Sequence, residues 1–205
     1  MDQQHLRRPA GRRLARRHAL GAALLVATLG LAACATAERG LSAPGGVISL
    51  TATSDGGAGR SEDDGYLADG AAVSILDEHL PAIAGLDPEL RSAVEAAVAG
   101  AEADGVEMVV TSGWRSAAYQ QALLDDAVER YGGYEEARKW VSTPELSAHV
   151  TGDAIDIGYT DANSWLSQHG ADYGLCQTYA NEMWHFELAT EPGGTCPPQK
   201  EDAAE

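Results

Sequence analysis

Apolar positions recur at helical spacing in some stretches of this chain and collect into short β-branched runs in others. Val73, Leu76 and Leu80 fall at helical spacing, which predicts a helix from Ala71 to Ala84. Asp87-Pro88-Glu89 supplies an N-cap, a proline at the first helical position and an early carboxylate. The helix that follows runs to about Ala103 and stops at Asp104-Gly105. Val106 to Ser112 is apolar, β-branched and flanked by glycine, a strand pattern. Ser116 to Tyr131 is amphipathic, with Tyr119, Leu123, Ala127 and Tyr131 on one stripe, and Gly132-Gly133 ends it. Tyr134 to Val141 reads as a short helix ending before Pro144. Ala154–Tyr159 is a strand, Asp161–His169 a helix and Met183–Leu188 a final strand. No repeat period is present, and the elements lack βαβ regularity, so the fold class is α+β.

The first 33 residues break this pattern. Six arginines (Arg7, Arg8, Arg12, Arg13, Arg16 and Arg17) precede an apolar run from Ala19 to Ala33 that is short for a membrane span. This is the pattern of an export signal. Leu31-Ala32-Ala33-Cys34 resembles the lipobox of bacterial lipoproteins, which implies cleavage before Cys34 and a lipid anchor on its thiol. Ordinary secretion, with cleavage near Ala35 or Ala37, is the alternative, as is an uncleaved anchor; the paired arginines match twin-arginine export only loosely. Residues 34–65 are rich in small and polar side chains, with Val47-Ile48-Ser49-Leu50 the one strand-like run. Asp55-Gly56-Gly57-Ala58-Gly59 and Glu62-Asp63-Asp64-Gly65 offer little apolar surface to offset their ordering entropy, so this stretch reads as a flexible tether. The folded domain spans 66–196, with a loose acidic tail at 197–205.

Removing the export signal sharpens the charge. The remainder holds eight Lys+Arg against 30 Asp+Glu, a formal net charge of −22. Such a surface repels phosphate backbones and argues against nucleic-acid binding. Once Cys34 is assigned to the lipobox, Cys176 and Cys196 remain as a pair in an oxidising compartment, where a disulfide would close a loop around Glu182 and His185. A metal site on these two cysteines is the competing reading, disfavoured by the absence of close C-x-x-C spacing.

The candidate chemistry lies in Ser147-Ala148-His149-Val150-Thr151-Gly152-Asp153-Ala154-Ile155-Asp156 and in Glu182-Met183-Trp184-His185. Two imidazoles and one carboxylate form a ligand set for a catalytic zinc that keeps one position open for water. A second carboxylate can then act as general base. His149 is expected in a loop and Asp156 on a buried strand, where a carboxylate needs a cation or hydrogen bonds. On a regular strand Glu182 and His185 point to opposite faces, so Glu182 must stand at an irregular start to reach the same point. A packed imidazole beside Trp184 and a structural ion pair at Asp156 are the plain alternatives. Asp153 reads as a solvated or capping residue, His169 as a helix-end cation. Glu187 shares a strand face with His185 and can orient it.

The order Ser-x-His-x-x-Gly-x-Ala-x-Asp, then Glu-x-Trp-His, resembles the zinc D-alanyl-D-alanine peptidases of the VanY and VanX type. Upstream, Ser112-Gly113-Trp114-Arg115-Ser116-Ala117-Ala118-Tyr119-Gln120 looks like that family's Gly-aromatic-Arg-Ser-x-x-x-Gln segment. These blocks cover residues 112 to 187. The resemblance implies a small antiparallel sheet carrying the zinc site and flanked by helices, the VanY/Hedgehog-like peptidase fold. It implies His149, Asp156 and His185 as ligands of one zinc ion per chain and Glu182 as catalytic base and acid. Arg115 would meet the scissile carbonyl or the terminal carboxylate, Gln120 would bind that carboxylate, and Ser147 would line the substrate site. Met183 stands where the family often has proline, and Ala148 where it commonly has glutamate; neither is a ligand position.

The implied activity is a D,D-carboxypeptidase that removes the terminal D-alanine of peptidoglycan stem peptides outside the membrane, acting as a monomer. The same machinery would serve an L,D-carboxypeptidase, a D-Ala-D-Ala dipeptidase or a peptidoglycan endopeptidase. A zinc-binding envelope lipoprotein without turnover, or an envelope scaffold without metal, would be the reading of another class.

Overall fold

The computed structural model describes residues 60–68 and 70–205. The expected export signal, Cys34 and the strand-like run at residues 47–50 lie outside the described residues, as does most of the tether.

The scaffold is a four-stranded antiparallel sheet in the order β1-β2-β4-β3, with β1 Val109–Ser112, β2 Ala154–Gly158, β3 Leu175–Gln177 and β4 His185–Leu188. Together with the helices this is the expected α+β fold. Side chains alternate across a strand, so β2 sends Ile155 and Ile157 to one face and Asp156 to the other. Ile155 is paired with Phe186 of β4. Both are sealed with Val110 and Leu175 into the main core. Each such side chain contributes roughly 1.5–3 kcal/mol relative to exposure.

Two helices cover that apolar face. The first, α2 (Pro88–Ala103), buries Leu90, Val94, Ala97 and Ala101. Its N-cap is Asp87, whose carboxylate accepts from Glu89 N and Leu90 N, as the sequence predicts. The second, α6 (Thr160–His169), buries Ala162, Trp165 and Leu166. A smaller cluster joins α3 (Ala117–Tyr131) to α4 (Tyr134–Arg138) through Leu124, Ala127 and Ala137.

The expected helix over Ala71–Ala84 is reduced to one turn, α1 (Pro81–Ala84). Proline disfavours helical backbone in the residue before it, and Leu80 is extended at ψ 126°. Upstream, Val73 bridges to Val110, and Leu76 is exposed rather than on a core stripe. His149 lies not in a loop but in the single-turn helix α5 (Ala148–Thr151), closed by Gly152 at φ 86°. A side chain at Gly152 would also strike the carbonyl of Gly85. Strand β3 had no clear alternating pattern in sequence. The final strand begins at His185, not Met183.

Both expected domain ends move outward. Residues 60–65, assigned to the tether, pack on the domain. Arg60 pairs with Asp126, the Asp64 carboxylate accepts from the Ser116 hydroxyl, and Ser116 N donates to Asp64 O. Gly65, at φ 83°, passes against the Trp114 carbonyl where no side chain fits. Polar pairing and capping thus hold a segment whose composition offers little apolar burial. The tail at 197–205, expected loose, is docked: Lys200 bridges to Tyr179, and Ala203 is buried. Backbone hydrogen bonds, which leave no mark on composition, hold it there.

Candidate active site

The polar face of the sheet builds the site. Strand register places Ser112 beside Asp156 across β1 and β2, and Asp156 beside His185 across β2 and β4. His149 arrives from α5, which packs on β2. Three ligand atoms converge. His149 Nε2 lies 3.2 Å from His185 Nδ1, and Asp156 Oδ1 lies 3.3 Å from each. All three residues are buried.

The hydrogen bonds around this triangle fix what it can hold. His149 Nδ1 faces the Gly113 carbonyl at 2.8 Å, so it carries the proton and leaves Nε2 a bare lone pair. His185 Nε2 lies 2.9 Å from Glu187 Oε1, which fixes the ring with Nδ1 turned toward the cluster. Asp156 Oδ1 is buried without a hydrogen-bond partner. Two imidazole nitrogens and an anionic oxygen at these distances need positive charge among them, a proton on His185 Nδ1 or a metal ion in its place. Tetrahedral bonds of about 2.0–2.1 Å set ligand atoms roughly 3.3–3.4 Å apart, so the triangle fits a zinc-sized ion with nitrogen and oxygen donors.

Charges in the site are strongly displaced. Burial opposes ionisation of Asp156, but His149, His185 and Arg115 outweigh it and hold the carboxyl well below its usual range. Burial, seconded by Arg115, pushes His149 down. For His185, burial is overcome by the carboxylates of Asp156 and Glu187, which hold it up to about 9. A metal at Nδ1 must displace that proton. Burial also pushes Glu182 up to about 7.

Glu182 precedes β4 in a turn, the irregular start that the alternation rule demanded. Its Oε2 lies 3.9 Å from His185 Nδ1, while Oε1 is buried without a partner. Arg115, just past β1, donates from Nη2 to Asp156 Oδ2 (2.7 Å), from Nη1 to Gln120 Oε1 (3.1 Å) and from Nε to Ser112 Oγ (2.9 Å). These use three of its five N–H donors. Gln120 is buried, and its Nε2 donates to Ser142 O at 2.9 Å, so its amide fixes the guanidinium.

A cavity of about 200 Å³ opens on this cluster, lined by Arg115, Gln120, Ser147, His149, Asp156, Glu182 and His185 among others. Every sequence-predicted ligand, the base and the substrate-side residues therefore meet in one place. Asp153 and His169 stand outside the cluster: Asp153 accepts from Thr151 Oγ1, and His169 packs on Trp165. Cys176 and Cys196 are joined in a disulfide, so they form no metal site. The sequence did not single out Trp140, Ser142, Tyr179 or Ala203, which also line the cavity. Only Tyr179 left a trace, its place in the Cys176–Cys196 loop beside Glu182.

Known proteins resemble this chain over the segment that carries the cluster. The family model for VanY, D-alanyl-D-alanine carboxypeptidase, matches residues 84–192. A D-alanyl-D-alanine carboxypeptidase of Enterococcus faecalis is 32% identical over 111 residues, covering 42% of this chain and 41% of that protein. The chain thus spans about two-fifths of the length of that curated relative. Among solved structures, a variant of the vancomycin-resistance D,D-pentapeptidase VanY from a VanB-type cassette, in complex with Zn(II), is 26% identical at a TM-score of 0.47. That match covers 50% of this chain and 71% of the other. The L,D-carboxypeptidase DacB from Streptococcus pneumoniae is 26% identical at a TM-score of 0.43, covering 52% and 67%. The family match takes in more than half of the chain and every residue expected as ligand, base or substrate contact, and the chain belongs to the VanY D-alanyl-D-alanine carboxypeptidase family.

Proposed function

We propose that the protein is a zinc D,D-carboxypeptidase that removes the terminal D-alanine from peptidoglycan stem peptides. The observation that carries this reading is the buried triangle of His149, Asp156 and His185 with an unpaired Glu182 oxygen beside it. Zinc bound there would lower the pKa of a water toward about 7 and polarise the scissile carbonyl.

The chain's own residues supply the rest. Glu182, held near 7, takes the proton of the attacking water and passes it to the departing amine. Arg115 keeps two N–H donors beyond those engaged with Asp156, Gln120 and Ser112, enough to grip a carboxylate at the peptide's end. Gln120 holds the guanidinium in place, and Ser147 lines the cavity wall. Glu187 fixes the His185 ring so that Nδ1 faces the cluster. A site built without Glu182 would favour a binding role; its buried, unpaired carboxylate favours turnover.

The substrate is extracytoplasmic, in keeping with the export signal and a lipid anchor at Cys34. Cys34→Ala should release the protein from membranes; unchanged retention would remove the anchor from this account. Among the described residues no helix is long and apolar enough to cross a membrane. Mass spectrometry of pentapeptide and tetrapeptide stems, with and without chelator, tests the activity. Loss of one D-alanine from the pentapeptide alone, blocked by chelation, is expected. Cleavage of the tetrapeptide alone would make the enzyme an L,D-carboxypeptidase, and no cleavage of either would overturn the peptidase reading.

A further inference from the structure

The docked C-terminal segment contributes to the cleft although it lies beyond the family-matching residues 84–192. Lys200 N donates to Thr178 O and Ala180 N donates to Lys200 O, both at 2.9 Å, a short parallel bridge alongside Tyr179. Lys200 Nζ stands 5.6 Å from the centre of the Tyr179 ring, and that ring packs 4.9 Å from His185. Three residues later the segment meets the 139–142 stretch, whose Lys139 O also accepts from Asn181 Nδ2 at 2.8 Å. Ser142 Oγ donates to Ala203 O at 2.9 Å, and Ala203 N donates to Lys139 O at 3.4 Å. The segment therefore straps the 178–182 turn to the 139–142 stretch, and Ala203 lines the cavity between them.

Its place relative to the reacting groups follows from a chain of hydrogen bonds. Ser142, which holds Ala203, also accepts from Gln120 Nε2, and Gln120 Oε1 accepts from Arg115 Nη1. Through Ser142 and Gln120 the strap is thus linked to Arg115, the group to which the proposed reading gives the substrate's carboxylate.

We propose that residues 200–203 are the specificity-determining wall of the cleft. They close its carboxylate side, so that the site accepts a peptide end and rejects a chain that continues. Ala203 sets the depth of the end pocket. This rests on the peptidase reading above and adds to it the element that separates end-trimming from cutting within a chain. Hydrophobic pockets discriminate single added groups by about 10–200-fold, so one side chain on this wall is enough to shift selectivity.

The test uses a diacylated Lys-D-Ala-D-Ala tripeptide and the same peptide extended by one residue at its C-terminus. Wild-type protein should cleave the first at least tenfold faster than the second. Lys200→Pro removes the N–H that holds the strap to Thr178 and should raise relative cleavage of the extended peptide about tenfold. Ala203→Phe should raise KM for the short peptide about tenfold, with kcat and zinc content little changed. If Lys200→Pro loses its zinc and does not fold, Ala203→Phe decides alone. Equal wild-type cleavage of both peptides, or variants with wild-type length preference and KM, would overturn the wall while leaving the peptidase reading intact. No wild-type cleavage of either peptide would overturn both.

Discussion

Asp156 and His185 stand directly opposite each other across β2 and β4, and this register places Asp156 Oδ1 3.3 Å from His185 Nδ1. Side chains alternate along a strand, so a one-residue slip would turn Asp156 into the apolar face and bring Ile155 or Ile157 toward the metal position. The pairing of Ile155 with Phe186 in the core guards against that slip. The site is thus specified by the packing of the other face of the same sheet.

Arg115 holds Asp156, Gln120 and Ser112 together through one planar fork. Lysine offers one ammonium and cannot reproduce that geometry. Arg115→Lys should lower kcat/KM on a pentapeptide stem about 10²-fold, near 3 kcal/mol, while zinc stays bound. Steady-state kinetics beside metal analysis checks this; kinetics within twofold of wild type would remove Arg115 from substrate recognition.

Glu187 meets the cluster at His185 Nε2; burial pushes its carboxyl up, but the His185 hydrogen bond and charge, together with Thr178 and Lys200, hold it below its usual value. It is a positioning residue. Glu187→Ala should weaken zinc about 10–100-fold, and Glu187→Gln, which keeps an acceptor oxygen, should recover part of that loss. Competition titration with a chromogenic chelator reads both. Unaltered zinc affinity in the alanine variant would contradict the role.

The Cys176–Cys196 disulfide spans 20 residues that carry Tyr179, Glu182 and His185. Loop-closure entropy gives such a cross-link about 3 kcal/mol. A Cys176→Ser/Cys196→Ser double variant should lose about that much in urea unfolding. A change under about 0.5 kcal/mol would mean that the loop is ordered without it.

Asp64 anchors the N-terminal segment, and its carboxyl is held below the ordinary value first by the Ser61 hydroxyl and then by Ser116. A folded-state pKa below the unfolded one contributes stability above the unfolded value, about pH 4, and that stability is lost as pH falls through the folded pKa. Asp64→Asn should therefore destabilise the protein at pH 6 and much less at pH 3. Urea midpoints at the two pH values check the sign; an equal deficit at both would contradict it.

The site was more legible in the sequence than the fold around it. That His149, Asp156, Glu182 and His185 meet at one point was readable because their types and order resemble the motif blocks of a known family. Even the irregular backbone at Glu182 followed from strand alternation, once Glu182 was required to reach the same point as His185. Helix α2 was readable because its cap and stop are local. The stretch 71–80 misled because helical spacing of Val73, Leu76 and Leu80 says nothing of the pairing of Val73 with Val110. The two ends misled for a related reason. Arg60, Asp64, Lys200 and Ala203 are held by long-range polar and backbone bonds, which hydropathy does not record. The cleft walls at Ser142 and Tyr179 come from loops whose meeting depends on those same bonds.

The most direct test of the account is D-alanine release from a pentapeptide stem by wild-type protein and Glu182→Gln, each assayed for zinc. About one zinc per chain in both, with turnover lost by at least about 10²-fold in the variant, is the predicted result. Less than a tenth of a zinc per chain in wild type, or full turnover in Glu182→Gln, would contradict it.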